Sequence, residues 1–236
     1  MTTTTTDGEA WDLWLDGPHP PAFNMAADEA LLLGAPDRRR PLLRLYAWDR
    51  PAVSIGYIQR LDAAPPGFAV VRRPTGGGVV YHDHDVTYTA VFPPDHPLNQ
   101  LDRLKSYDDL NRAVQNGLQR LDLDARLSDA LIPRAVDRLT MVCFQHPTRY
   151  DILLNGRKVG GSAQRRVREG LLHQGSLHFG GPLPVPRNRL ADALLDGFRD
   201  TLHVTFTPFT PDHTLLQRIA KLEHDKYDNP DWNARR

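Results

Sequence analysis

Alternating apolar and polar side chains in Trp11-Asp12-Leu13-Trp14-Leu15 predict a half-buried strand. Residues 24–33, rich in Ala, Glu and Leu, predict a helix that Asn24 would cap. Short strands are expected at 42–46 and 52–56, parted by Pro51, and at 68–71, and residues 79–92 read as one longer strand. Residues 106–121 place Tyr107, Leu110, Val114, Leu118 and Leu121 at helical spacing, and residues 187–202 do the same with Leu190, Leu194, Leu195, Phe198 and Leu202. Further strands are expected at 149–154, 158–159 and 171–179, and a last helix at 214–227. No internal repeat or linker interrupts the series. One domain over residues 1–236 is expected, with short polar tails at 1–10 and 228–236.

Composition narrows the function classes. Lys plus Arg and Asp plus Glu are each 29, so no net charge draws the chain to nucleic acid or an acidic membrane. No apolar run has the length of a membrane span, and Thr2 to Thr6 lack the basic start and apolar core of a secretory signal, so a cytoplasmic protein without a membrane partner is expected. The single cysteine, Cys143, cannot form an internal disulfide.

Two glycine-rich segments carry the candidate chemistry. One is Arg72-Arg73-Pro74-Thr75-Gly76-Gly77-Gly78, running on to His82; the other is Gly156-Arg157-Lys158-Val159-Gly160-Gly161-Ser162-Ala163, running on to Arg166. Both read as loops that couple side-chain-free backbone to positive charge, the combination that holds a phosphate or carboxylate. A glycine cluster alone also serves as a tight turn. The first segment lacks the Gly-Lys-Ser/Thr ending of a phosphate-binding Walker loop and the spaced glycines of a dinucleotide fingerprint. His82-Asp83-His84-Asp85 invites a metal reading, but only alternate residues share a strand face and no second ligand cluster stands out, so no metal site is assigned. Cys143 is either a small buried hydrophobe or a nucleophile.

Five stretches together resemble the lipoate–protein ligase and octanoyltransferase family, which is related to biotin–protein ligases: residues 24–30, 72–82, 143–150, 156–166 and 172–177, with 226–233 resembling the family's tail. The resemblance implies an α+β fold of the class II synthetase-like kind, a mixed, mostly antiparallel central sheet flanked by helices. It implies transfer of an octanoyl or lipoyl group to one lysine of a lipoyl domain, such as that of a 2-oxoacid dehydrogenase E2 or the glycine cleavage H protein. In one branch Cys143 takes the acyl group from acyl carrier protein as a thioester and no cofactor is used; in the other, ATP and Mg activate free lipoate. Cys143-Phe144 with Pro147 and Tyr150 resembles the cysteine-bearing segment of one transferase group, whereas Gly78 stands where that group commonly carries arginine.

Carried over by position, Lys158 would stabilise negative charge on the acyl carbonyl and Cys143 would be the nucleophile. Arg72, Gly76, Gly77, Gly78 and His82 would line the acyl and phosphate or pantetheine end. Gly161, Ser162 and Ala163 would shape the acyl tunnel by their small size, and His173 would orient the incoming lysine or act as base, its alternative being a satisfied core histidine. The competing readings are an ATP-dependent ligase with a structural Cys143 and, further off, a non-catalytic lipoate or biotin binder.

Overall fold

The structure is a computed structural model and describes residues 8–235. Its strands are β1 (Glu9–His19), β2 (Leu42–Trp48), β3 (Ala52–Ile55), β4 (Ala69–Arg72), β5 (Val80–His82), β6 (Val86–Phe92), β7 (Ala125–Leu127), β8 (Ile152–Leu154), β9 (Arg157–Val167), β10 (Gly170–Leu177) and β11 (Val204–Pro208). Its α-helices are α1 (Pro21–Leu33), α2 (Pro97–Gln100), α3 (Arg103–Gln119), α4 (Arg187–Leu202), α5 (His213–Leu222) and α6 (Pro230–Ala234). An eight-stranded sheet runs β11-β1-β2-β6-β10-β9-β8-β7, and a three-stranded sheet runs β4-β3-β5. In the large sheet β1 lies parallel to both neighbours and every other pairing is antiparallel, as expected for an α+β fold.

Both faces of the central strands are covered, so β6 and β10 are buried at every position and β2 over its first five residues, polar side chains such as Thr87, Thr89, His173 and Gln174 included. On one face α3 and α4 lay Leu110, Val114, Leu194 and Phe198 onto Leu43, Leu45, Tyr88 and Phe92. A Cβ on Gly197 would meet the Ala113 carbonyl at 2.2 Å, so glycine permits the close crossing of these two helices. On the other face α1 lays Met25, Ala26 and Leu31 onto Leu42, Tyr46, Val91 and Leu172, with α5 outside it. Enclosed by sheet and helix, α1 is buried nearly throughout, which accounts for its alanines.

Sequence reading and structure differ at several elements. Helix α1 starts at Pro21, whose fixed φ suits a first helical position, and Asn24 is not a cap. Asn24 is buried and accepts from Arg44 Nη2 at 2.8 Å. Residues 79–92 divide into β5 and β6 around the His82–Asp85 turn. Asp102 caps α3, accepting from Leu104 N at 2.8 Å. The second glycine segment is strand from Arg157 onward, paired with β8 at its start and with β10 from Gly160 to Val167; its turn is Asn155-Gly156, both at positive φ, the Asn-Gly signature of a tight hairpin. Of the expected tails, residues 1–7 lie outside the described residues, Glu9 and Ala10 belong to β1, and Trp232 and Asn233 dock onto β4.

Candidate active site

The two glycine segments meet through the chain that carries Cys143. Val79 N donates to Met141 O and Cys143 N to Val79 O, both at 2.9 Å, which stitches residues 141–143 along the end of the first segment. Gly78 makes this approach possible, since a Cβ there would lie 2.7 Å from Met141 O and 2.9 Å from Cys143 N. From the other side, a Cβ built on Gly77 would reach the Ala163 Cβ of β9 at 4.0 Å. Arg73 holds the glycine turn in shape. Its guanidinium donates to the carbonyls of Gly76 (2.6 Å), Gly78 (2.7 Å) and Ser54 (2.9 Å), and burial lowers its pKa to about 10, against a raising influence from the Cys143 sulfur.

At the junction Lys158 Nζ lies 3.3 Å from Cys143 Sγ and 2.6 Å from Asp151 Oδ2. The Lys158 side chain is 2% exposed and that of Asp151 5%, whereas Cys143 is half-buried. Asp151 Oδ2 also accepts from Thr148 N at 2.6 Å and Thr148 Oγ1 at 2.8 Å. Burial pulls the Lys158 pKa down, but the Cys143 sulfur and the Asp151 carboxylate outweigh it and hold the ammonium above the usual lysine value. For Asp151 burial dominates and lifts the carboxyl above its ordinary value despite Lys158 and Thr148. The arrangement is a buried ammonium that stays protonated, aimed at a sulfur by a carboxylate, and it suits hydrogen-bond donation to a developing oxyanion rather than service as a base. Gly161 is required here, because a Cβ would press Lys158 Cε at 2.8 Å.

From this junction a cleft crosses the sheet. Gly161, Ser162 and Ala163 on β9, Gln174, Gly175 and Ser176 on β10, Thr87 on β6, and Tyr46 and Trp48 on β2 line it, with Gly77, Cys143, Phe144 and His82. Those four adjacent strands place the ends about 14 Å apart, three spacings of about 4.8 Å. At the β2 end His82 stacks on Trp48 (centroids 3.9 Å apart), with Nε2 2.8 Å from Ser54 Oγ and Nδ1 2.7 Å from Asp85 Oδ2. Asp85 is fully buried, yet His82, Thr87 and Ser176 together outweigh that burial and keep its carboxyl below the ordinary value. Behind the cleft Asp28 of α1 accepts from Arg44, Tyr46, Thr89 and Gln174, and Gln174 Oε1 accepts from Thr75 Oγ1 at 2.6 Å. This buried network fixes the glycine turn to the sheet and to α1.

Lys158, Cys143, Gly77, His82, Gly161, Ser162 and Ala163 are thus brought together, and four of the expected residues are not. Arg72 is turned away from the cleft, its Nη1 on the Gln59 carbonyl at 2.5 Å and its Nη2 on the Asn233 carbonyl at 2.8 Å, so it anchors the C-terminal segment. Gly76 and Gly78 do not line the cleft; their carbonyls hold Arg73. His173 is fully buried between Tyr88 and Tyr107, with Gln164 3.1 Å from Nδ1; burial pushes its pKa down to about 3, and it reaches neither the cleft nor an incoming amine. Sequence reasoning missed Asp151 and Arg73. Asp151 directly follows the 143–150 stretch, and a carboxylate there was the available signal. Among the described residues no group of three or more His, Cys, Asp or Glu side chains is placed to hold a metal ion.

A mostly antiparallel sheet crossed by an apolar cleft, closed at one end by an ammonium and a thiol, defines an acyl-handling enzyme of the α+β ligase type. The family model "Lipoyl protein ligase A/B catalytic domain" matches residues 20–206, and the chain belongs to this family. It is 29% identical over 280 residues to octanoyltransferase LipM of Geobacillus kaustophilus (strain HTA426), covering 97% of this chain and 99% of that one. To octanoyltransferase LipM of Kyrpidia tusciae it is 36% identical over 210 residues, 81% of this chain and 77% of that one. A crystal structure of lipoate-protein ligase A bound with ATP superposes with a TM-score of 0.81 at 25% identity, covering 97% of this chain and 98% of that one.

Proposed function

We propose that the protein transfers an octanoyl or lipoyl group to the target lysine of a lipoyl carrier domain by way of a thioester on Cys143. The observation that carries this reading is the 3.3 Å approach of the Lys158 ammonium to Cys143 Sγ at the closed end of an apolar cleft. An extended eight-carbon chain spans about 9 Å, seven zigzag bonds of about 1.5 Å, and fits a cleft about 14 Å across with its carbonyl left at the sulfur. The relatives named octanoyltransferase support the same activity.

In the first half-reaction the Cys143 sulfur, having given up its proton, attacks the carbonyl carbon of a thioester donor such as octanoyl-acyl carrier protein. The new C–S bond places negative charge on oxygen, where Lys158 donates a hydrogen bond; the oxyanion collapses, the donor C–S bond breaks, and the donor thiolate takes up the equivalent of the proton that Cys143 released. In the second, the carrier lysine attacks as a free amine, the C–N bond forms, the bond to Sγ breaks, and the proton shed by nitrogen returns to sulfur. Asp151 keeps Lys158 aimed and charged throughout. Carriers of the E2 and H-protein kinds, a cytoplasmic setting and a single catalytic domain complete the proposal; no helix among the described residues is long and apolar enough to cross a membrane.

The test is incubation with octanoyl-acyl carrier protein and a lipoyl domain without ATP. The expected result is an octanoylated domain and an acyl adduct on the enzyme by intact mass, both lost in Cys143→Ser. The second reading, ATP-dependent lipoate ligation, is favoured by Gly78 and by the ATP-bound structural relative. It predicts modification only with free acid and ATP, at full rate in Cys143→Ser.

A further inference from the structure

A second groove, outside the acyl cleft, has Lys158 among its lining residues. Val142, Phe144, Pro147, Arg157, Lys158 and Phe179 are among the residues that line it. Phe144 lines both concavities, so its ring, 5.7 Å from Lys158 Nζ, stands as the partition between them. Gly156 and Gly180, at φ 75° and 80°, leave the rim free of side chains, and around Gly156 the space is open. Arg157 is exposed, its guanidinium 3.0 Å from where a Gly180 Cβ would stand, and it joins no salt bridge among the described residues. The groove therefore combines aromatic side chains, open backbone and an unpaired cation, and one of its lining residues, Lys158, contacts the reactive sulfur.

The acyl chain occupies the first cleft in both half-reactions, so a thiol that leaves the carbonyl must stand on the far side of Lys158 and Phe144. Resting on the transferase reading above, we infer that this groove receives the phosphopantetheine arm of the thioester donor, Arg157 supplying the countercharge for its phosphate. The aromatic side chains flank the arm's apolar stretches, and its amides lie along the open backbone of the two glycines. The site is distinct from the first glycine segment, none of whose residues lines this groove. The bond changes are those already described, with the donor C–S bond breaking at the mouth of this groove.

Single-turnover acylation of Cys143 in the full-length protein tests it, with octanoyl-N-acetylcysteamine, octanoyl-pantetheine and octanoyl-phosphopantetheine as donors. The second-order rate is expected to rise at least about tenfold from the shortest donor to the phosphorylated one. Arg157→Ala is expected to lower the phosphopantetheine rate about fivefold or more while moving the N-acetylcysteamine rate less than about twofold, the size of one exposed charge-assisted contact. Gln145→Trp, which crowds the groove, should slow every arm-bearing donor. Octanoyl-coenzyme A and octanoyl-acyl carrier protein distinguish the sources of the arm: parity with phosphopantetheine assigns recognition to the arm alone, and a further gain from the protein adds a protein surface to it. Equal rates for all donors, an equal loss on all of them in Arg157→Ala, or a loss confined to an ATP-dependent reaction would overturn the inference. Failure of the transferase reading looks different, because then no donor, the short one included, acylates Cys143, and both ideas fall.

Discussion

Replacing Lys158 by methionine keeps an unbranched side chain one atom shorter and removes its charge, and two separate consequences follow. The first is chemical: the oxyanion loses its donor, a change that costs about 10²–10³ in rate where such donors have been removed. The second is structural. Asp151, 5% exposed, keeps only the Thr148 N–H and hydroxyl as partners, and breaking a buried ion pair costs about 3–5 kcal/mol. Because burial already lifts the Asp151 carboxyl above its ordinary value, part of that cost is relieved by protonation, so about 3 kcal/mol is expected. The double variant Lys158→Met/Asp151→Leu removes the stranded carboxylate and should recover most of the stability without recovering transfer. The rate of octanoyl transfer to a lipoyl domain reads the first quantity, and urea unfolding reads the second. Transfer by Lys158→Met within about tenfold of the parent, or its return in the double variant, would refute the role given to the ammonium.

Three further outcomes are expected. His173 has its pKa depressed to about 3, so the unfolded chain binds its proton first as pH falls; the stability this histidine contributes is complete above about 6.5 and is lost towards 3, at up to about 1.4 kcal/mol per pH unit. His173→Gln should flatten urea-unfolding curves compared between pH 7 and pH 4; an unchanged pH dependence would contradict its assignment as a neutral core residue. Gly175→Ala should destabilise by about 1–3 kcal/mol or more, since its Cβ would stand 2.1 Å from the Tyr88 ring, whereas Gly181→Ala, with nothing within 4 Å, should move the midpoint little; equal effects on thermal unfolding would contradict the packing described. Arg72→Leu should release the C-terminal segment and expose residues 228–235 to limited proteolysis; loss of acyl binding with that segment still protected would return Arg72 to the cleft.

The sequence made the reactive pair visible because its environment is written locally. A lysine bracketed by glycines is hard to account for as a surface residue, and the structure supplies the reason, as Gly161 leaves space for Lys158 Cε. Segment order and small side chains likewise foretold which part of β9 faces the cleft. Choosing between Arg72 and Arg73 was beyond a one-dimensional reading, since neighbouring residues leaving a strand face opposite sides and either guanidinium satisfies the same pattern. His173 misled for a related reason: β10 is buried on both faces, so no polar alternation marks which side of the sheet a histidine occupies. Cys143 lies in a stretch between β7 and β8 with little regular structure, and its link to the glycine turn is made by two backbone hydrogen bonds that no side-chain pattern encodes. The second glycine segment passed for a loop because small residues suppress the strand signal, although Asn155-Gly156 announced the hairpin.

The most direct measurement isolates the enzyme after exposure to an octanoyl thioester, removes free donor, and adds a lipoyl domain in the absence of ATP. The account predicts one octanoyl group bound at Cys143 that moves to the domain in a single turnover, leaving free thiol behind. Isolation of an unmodified enzyme, or an adduct that the domain cannot discharge, would contradict it.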